Sequence, residues 1–283
     1  MNVLLTGATG FIGSRVRPLL VARGHSVTAI ARGGGMPEEP GVTWLTADLA
    51  AAGFVETLPG ATDAVVHLAQ AGGSPPDQAL LTAVNVESTR LLLDYAQRVG
   101  AGRFLLASSG SVYGGGRSPL SEADPRRPPD AYARSKAGAE ELLDGAEGLE
   151  VCALRLFAPY GPGQHGRLVA ELVGRVSSRR PVTLHGTGHP RLNPIFVDDV
   201  AAIVADALER PTPPVLNVAG DEVLSIREMA EAIGRALGVA PRFEPATGEP
   251  PLDLVADTSL LRRTFSLGAP TPFERGIAAT VGA

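Results

Sequence analysis

A doubly wound, parallel α/β sheet with a smaller C-terminal lobe is the fold class this sequence predicts, on three observations. Short apolar runs alternate with longer helical patterns as far as Leu156, a glycine-rich turn follows the first run directly, and beyond about Pro159 the order loosens into Gly- and Pro-rich turns. Taken in order, residues 3–6 predict a strand and 11–23 a helix. Residues 26–31 predict the second strand, and a third lies ahead of Asp48. A strand over 64–69 is followed by a helix over 80–99, then a strand over 103–108, a helix over 131–144 and a strand over 151–156. Strands this continuously apolar are covered on both faces, which parallel sheets require. Later helices are predicted over 197–209 and 225–237, the second opened by a capping box of Ser225 and Glu228. Residues 1–160 are expected to form the sheet domain and 161–283 mainly a lobe over its carboxyl edge, with the chain free to return to the sheet. Ligands of doubly wound sheets bind at that edge.

Composition narrows the function classes. With 283 residues, 44% hydrophobic and 19% charged, and with 34 Gly and 24 Pro, the chain is globular and rich in tight turns. A net charge of -5 without a basic block argues against nucleic acid as a partner and favours a small-molecule substrate. Cys152, in an apolar run, reads as a buried strand thiol. The chain starts at once with Asn2-Val3-Leu4-Leu5, which lacks a signal peptide's pattern, and no apolar run reaches ~18 residues, so a soluble, cytoplasmic protein with no membrane partner is expected. His165, His185 and His189 lack the spacing of a metal site and read as loop residues. Asp198 and Asp199 read as caps or surface charges at a helix start, and Arg155 as structural.

The glycine-rich turn is Gly7-Ala8-Thr9-Gly10-Phe11-Ile12-Gly13. Gly7 permits a tight turn, Gly10 lets backbone approach a pyrophosphate, and Gly13 allows close helix packing, while the helix N-terminus offers N–H groups and a positive dipole. Anion binding by this turn follows, and the strand before it and the helix after it favour a dinucleotide's pyrophosphate over a purely structural turn. At the end of the second strand Ile30-Ala31-Arg32 places a guanidinium, not a carboxylate, where the adenosine ribose would lie. Arg32 can pair with a 2′-phosphate, so NADP is favoured and NAD allowed. Asp48, followed by Leu49, is placed to accept the adenine amino group, or else to shape a turn.

Tyr132 and Lys136 are four residues apart and share a helix face. A phenol with a pKa near ~10 is a poor base at neutral pH, and an adjacent ammonium favours its phenolate. The lysine can also bind the nicotinamide ribose. A strand ends at Ser108-Ser109, at the edge that faces the cofactor, where the Ser109 hydroxyl can bond the reacting oxygen. Ser109 and Ser111 are candidate substrate contacts.

These elements together resemble the extended short-chain dehydrogenase/reductase family, the NAD-dependent epimerase/dehydratase group. The turn from Thr6 to Gly13, Asp48-Leu49, His67-Leu68-Ala69, Asn85-Val86, the Ser108 to Gly114 segment, Tyr132 to Lys136, Leu154-Arg155 with Tyr160-Gly161-Pro162, Val197-Asp198-Asp199-Val200-Ala201 and Leu216-Asn217-Val218 occur in the family's order. The resemblance implies a Rossmann-type nucleotide-binding domain and Tyr132 as general acid/base with Lys136 as its partner. It implies Ser109 orienting the substrate oxygen, and Leu68, Ala69 and Ala71 lining the cofactor. It further implies a C-terminal lobe that selects a nucleotide sugar, and a homodimer built on the helices over 80–99 and 132–144. Departures bear on the chemistry. Dehydratases of the family carry an acidic pair just after the catalytic Ser/Thr, where this chain has Gly110 and Ser111, so dehydration is not expected. The Asn that often follows the Arg155 position is missing from Leu156-Phe157-Ala158, and a late Arg is hard to place in Gly248-Glu249-Pro250-Pro251-Leu252-Asp253, which leaves Arg191 as a substrate-binding diphosphate contact or else a surface residue of the lobe. The expected activity is ketone reduction or C4 epimerisation of a nucleotide sugar. Reduction of a non-sugar ketone or aldehyde is the alternative, and a non-catalytic dinucleotide sensor would not need Ser109, Tyr132 and Lys136 together.

Overall fold

In the computed structural model, which describes residues 1–73, 75–116, 119–265 and 268–282, the predicted alternation is present throughout the first half. It comprises β1 (Asn2–Thr6), α1 (Gly13–Ala22), β2 (Ser26–Ala31), β3 (Val42–Thr46), β4 (Ala64–His67), α2 (Gln78–Leu81), a π-helical turn (Thr82–Glu87), α3 (Ser88–Arg98), β5 (Arg103–Ser109), α4 (Ala131–Leu143) and β6 (Glu150–Leu156). Then follow β7 (Pro159–Tyr160), α5 (Leu168–Ser177), β8 (Val182–Leu184), β9 (Arg191–Leu192), β10 (Ile195–Phe196), α6 (Val197–Glu209), β11 (Val215–Val218), β12 (Leu224–Ser225), α7 (Ile226–Leu237), β13 (Phe243–Pro245), α8 (Ser259–Thr264) and α9 (Phe273–Val281).

The chain divides into two compact units. The first comprises Met1–Val112, Arg126–Arg155 and Ala201–Leu216. It holds the core of a seven-stranded sheet of order β11-β6-β5-β4-β1-β2-β3. The pairs β1–β2, β1–β4, β2–β3 and β4–β5 are all parallel. Strands buried along nearly their whole length, such as Ala64–His67, carry apolar side chains on both faces, which is why the sequence shows runs and not alternation. Leu4, Val65, Leu92, Phe104, Leu106 and Ala153 belong to one apolar core. The strand order reverses between β1 and β4, and the crevice for a ligand opens outside the carboxyl ends of those two strands.

The second unit comprises Tyr113–Pro125, Leu156–Val200 and Asn217–Ala283. Its core gathers Tyr160, Leu172, Phe196, Met229, Ile233 and Ile277, and short two-stranded pairings β10–β7, β12–β9 and β13–β8 edge it. The capping box forms as expected. Glu228 accepts the Ser225 N–H at 2.7 Å, Ser225 Oγ accepts the Glu228 N–H at 3.2 Å, and the Ser225 N–H holds the Glu228 carboxyl below the usual range.

Most boundaries shift by a residue or two, and three departures from the sequence reading bear on the site. Helix α1 begins at Gly13, not residue 11, because Phe11 and Ile12 belong to the glycine turn. Strand β4 ends at His67, so that Leu68 and Ala69 cross the sheet edge beside Gly7. The helix expected over 80–99 is interrupted near its start by the π-helical turn, an irregularity that side-chain periodicity does not register. Cys152 is buried in β6, and burial pushes its thiol up to about 12. No helix among the described residues is long and apolar enough to cross a membrane.

Candidate active site

Thr6 and His67 are register partners at the ends of β1 and β4, and the glycine turn starts immediately beyond Thr6. Gly7 has φ +67°, and a Cβ on it would lie 2.6 Å from the Ala69 nitrogen and 2.8 Å from the Leu68 carbonyl carbon. A Cβ on Gly13 would lie 2.0 Å from the Gly7 carbonyl oxygen. Only glycine satisfies both positions. The Gly10 N–H bonds Gly7 O at 2.9 Å, and the Ser14 N–H bonds Gly10 O at 2.9 Å. Among the described residues no hydrogen bond takes the N–H of Phe11 or Ile12, which therefore stand at the entrance of α1 as anion donors. Thr9 and Gly10 are exposed there, and Arg17 of α1 steadies the turn by donating to Ala8 O at 2.7 Å. This cradle fits a dinucleotide pyrophosphate. Arg32 is exposed just past β2. Asp48 is exposed as well and accepts the Ala50 N–H at 3.0 Å, which shapes its own turn, while Leu49 is buried behind it.

The carboxyl end of β5 carries Ser109, half-buried, whose Oγ lies 2.9 Å from Ser111 Oγ and accepts the Ser111 N–H at 3.2 Å. Helix α4 is capped by Asp130, which accepts the Ala133 N–H at 2.8 Å, and so begins just ahead of Tyr132. The Tyr132 hydroxyl donates to Gln70 Oε1 at 2.7 Å. Lys136, 1% exposed, donates from Nζ to the Ala107 carbonyl at 2.8 Å, two residues before Ser109. One turn further, Glu140 accepts from Ser108 Oγ and from Arg155 Nε and Nη2, at 3.0 Å and 2.6 Å for the two arginine contacts. Helix α4 is thus tied to β5 twice, by a lysine and by a buried carboxylate.

Buried Asn85, in the π-helical turn, joins the loop after β4 to the helix turn that carries Tyr132. Its Oδ1 accepts the Ala71 N–H at 2.7 Å, and its Nδ2 donates to Ser135 Oγ at 2.9 Å. Ser135 in turn donates to the Tyr132 carbonyl at 2.7 Å. Gln70, Asn85 and Glu140 were not singled out as site residues from the sequence. A polar Asn85 and Glu140 on otherwise apolar helix faces are the signal that could have found those two, since such groups are retained only with partners, whereas Gln70, exposed in the loop after β4, offered none.

His67 is fully buried under the same edge. Burial, with the Lys136 ammonium second, lowers its pKa to about 3. A depressed histidine pKa means that the unfolded chain takes up a proton that the folded chain refuses. The stability it confers is complete above about pH 6.5 and is lost as pH falls toward 3. Between pH 7.5 and pH 5 this group should cost the native protein ~2 kcal/mol, and His67→Gln should flatten the decline in melting temperature over that interval. Equal declines in both proteins would refute the assignment.

Arg191 lies in the second unit, exposed on β9, with its backbone N–H on Asp253 Oδ1 at 2.7 Å. The same oxygen pairs with His189 Nδ1 at 3.0 Å. Among the described residues no group of three or more His, Cys, Asp or Glu could hold a metal ion.

A parallel sheet of this order with a glycine turn at its switch point is the Rossmann-type architecture of dinucleotide-dependent enzymes, and Ser109, Tyr132 and Lys136 stand on elements at the same edge. Residues 3–219 match the NAD dependent epimerase/dehydratase family, and the chain belongs to it. It is 33% identical over 264 residues to a dTDP-glucose 4,6-dehydratase of Streptomyces antibioticus, covering 84% of this chain and 78% of that protein. Among solved structures it resembles the UDP-glucose 4-epimerase of Thermus thermophilus in complex with NAD, at 31% identity, TM-score 0.83 and coverage of 100% and 98% of the two chains. MoeE5 in complex with UDP-glucose and NAD is similar at 29% identity, TM-score 0.87 and the same coverage.

Proposed function

We propose that this chain is an NAD(P)-dependent oxidoreductase that acts on a hydroxyl or ketone of a nucleotide sugar, as a 4-ketoreductase or a 4-epimerase. The observation that carries this reading is Ser109 ending β5 while Lys136, on the helix of Tyr132, bonds the same strand at Ala107. Bound at the glycine cradle, the nicotinamide would supply hydride transfer. Ser109 holds the reacting oxygen by its hydroxyl. Tyr132 gives that oxygen a proton in reduction and takes it back in oxidation, and Lys136 favours the phenolate in the second case. Leu68, Ala69 and Ala71 line the cofactor, and residues 161–283 mainly select the sugar nucleotide, with Ser111 and Arg191 as contacts. Elimination of water needs a second acid and base, and Gly110 and Ser111 supply neither, so the similarity to a dehydratase does not extend to its chemistry. The helices over 80–99 and 132–144 are assigned to a homodimer, for sedimentation to test.

Arg32, exposed beyond β2, supports NADP, and the similar structures solved with NAD support NAD. Mass spectrometry of nucleotide released from freshly purified protein, with titration of the apoprotein by NADH and NADPH, separates the cases. An empty site preferring NADPH, with reduction of a nucleotide 4-ketosugar, is expected of a reductase. Retained NAD with interconversion of UDP-glucose and UDP-galactose would make the enzyme an epimerase and Arg32 a solvated residue. Binding of neither dinucleotide would overturn the proposal.

A further inference from the structure

A chain of hydrogen bonds beneath the dinucleotide cradle has donors and acceptors that can be assigned in one direction only. At one end stands the Ala69 N–H, which can only donate, and it reaches Thr6 Oγ1 at 3.1 Å. At the other end stands the Val84 carbonyl, which can only accept, and it receives Ser88 Oγ at 2.6 Å. Between them His67 meets Thr6 Oγ1 with Nδ1 at 2.6 Å and Ser88 Oγ with Nε2 at 3.3 Å. The Ser88 hydroxyl hydrogen is committed to Val84, so Ser88 must accept from His67 Nε2–H. His67 Nδ1 then carries no proton and accepts from the Thr6 hydroxyl, which in turn accepts the Ala69 N–H. Thr6, His67 and Ser88 are all buried, and the imidazole, sitting near the Lys136 ammonium, stays neutral.

We infer that His67 is a positioning residue for the dinucleotide, acting through the Thr6 hydroxyl to hold the Leu68–Ala69 backbone against Gly7. The contact it governs is tight, since the Gly7 Cα already abuts the Ala69 nitrogen closely enough to exclude a Cβ. A small retreat of Leu68–Ala69 from Gly7 would widen the cradle, and a site is only as accurate as the groups that support it. The inference rests on the dinucleotide reading above.

Thr6→Val keeps the shape of the side chain but leaves the Ala69 N–H and His67 Nδ1 unpaired, whereas Thr6→Ser restores both bonds. His67→Asn keeps an acceptor near the Nδ1 position and loses the link to Ser88. The dissociation constants of NADH and NADPH, measured by the nucleotide's fluorescence, are compared with kcat at saturating cofactor. Thr6→Val is expected to weaken binding about tenfold with kcat little changed, Thr6→Ser to bind as the parent does, and His67→Asn to fall between them. Thr6→Val and His67→Asn proteins that melt cooperatively and bind with the parent's affinity would overturn the inference and leave the oxidoreductase reading standing. If Thr6→Val does not fold, parental affinity in His67→Asn alone overturns it. A parent chain that binds neither nucleotide removes the oxidoreductase reading, and the inference with it.

Discussion

Tyr132→Phe should lower kcat by about 10²- to 10⁴-fold while the dissociation constants of dinucleotide and sugar nucleotide change by no more than about twofold. In the proposed reaction the phenol is the group offered to the reacting oxygen, and in the structure it donates a hydrogen bond to Gln70. Phenylalanine preserves the ring and the helix and removes only the proton that must move. Isothermal titration with a non-turning-over nucleotide, beside initial rates, separates binding from chemistry. Turnover within about threefold of the parent would remove Tyr132 from the reaction and leave a dinucleotide-binding protein without the proposed acid/base.

Glu140→Ala should destabilise the fold by about 3–5 kcal/mol, because it leaves the Arg155 guanidinium, 3% exposed, without its carboxylate. The double change Glu140→Leu with Arg155→Met should recover most of that loss, since a buried ion pair contributes little beyond what well-packed apolar side chains would. Thermal melts of the parent, the single variant and the double variant test this directly. A single variant that melts with the parent would mean that Arg155 finds another partner. A double variant as unstable as the single one would mean that Ser108, which donates to Glu140, carries the stability.

Much of this protein was determined by local sequence. Apolar runs with helices between them are enough to specify a parallel sheet, since no other arrangement buries such strands on both faces. The glycines at 7 and 13 were legible because their reason is steric and local to the turn. The capping box at Ser225 was legible because both partners lie within four residues. The placement of Tyr132 and Lys136 on one helix was legible through their spacing, and that of Ser109 through the strand it ends. Tertiary structure alone decided what surrounds them. Asn85 meets Ala71 and Ser135 from 14 and 50 residues away, Glu140 meets Ser108 across 32, and Thr6 meets His67 across 61. No periodicity encodes such pairings. They exist because buried polar groups must find partners wherever the sheet order brings them, and the order β5-β4-β1 brings the ends of three strands together under one edge.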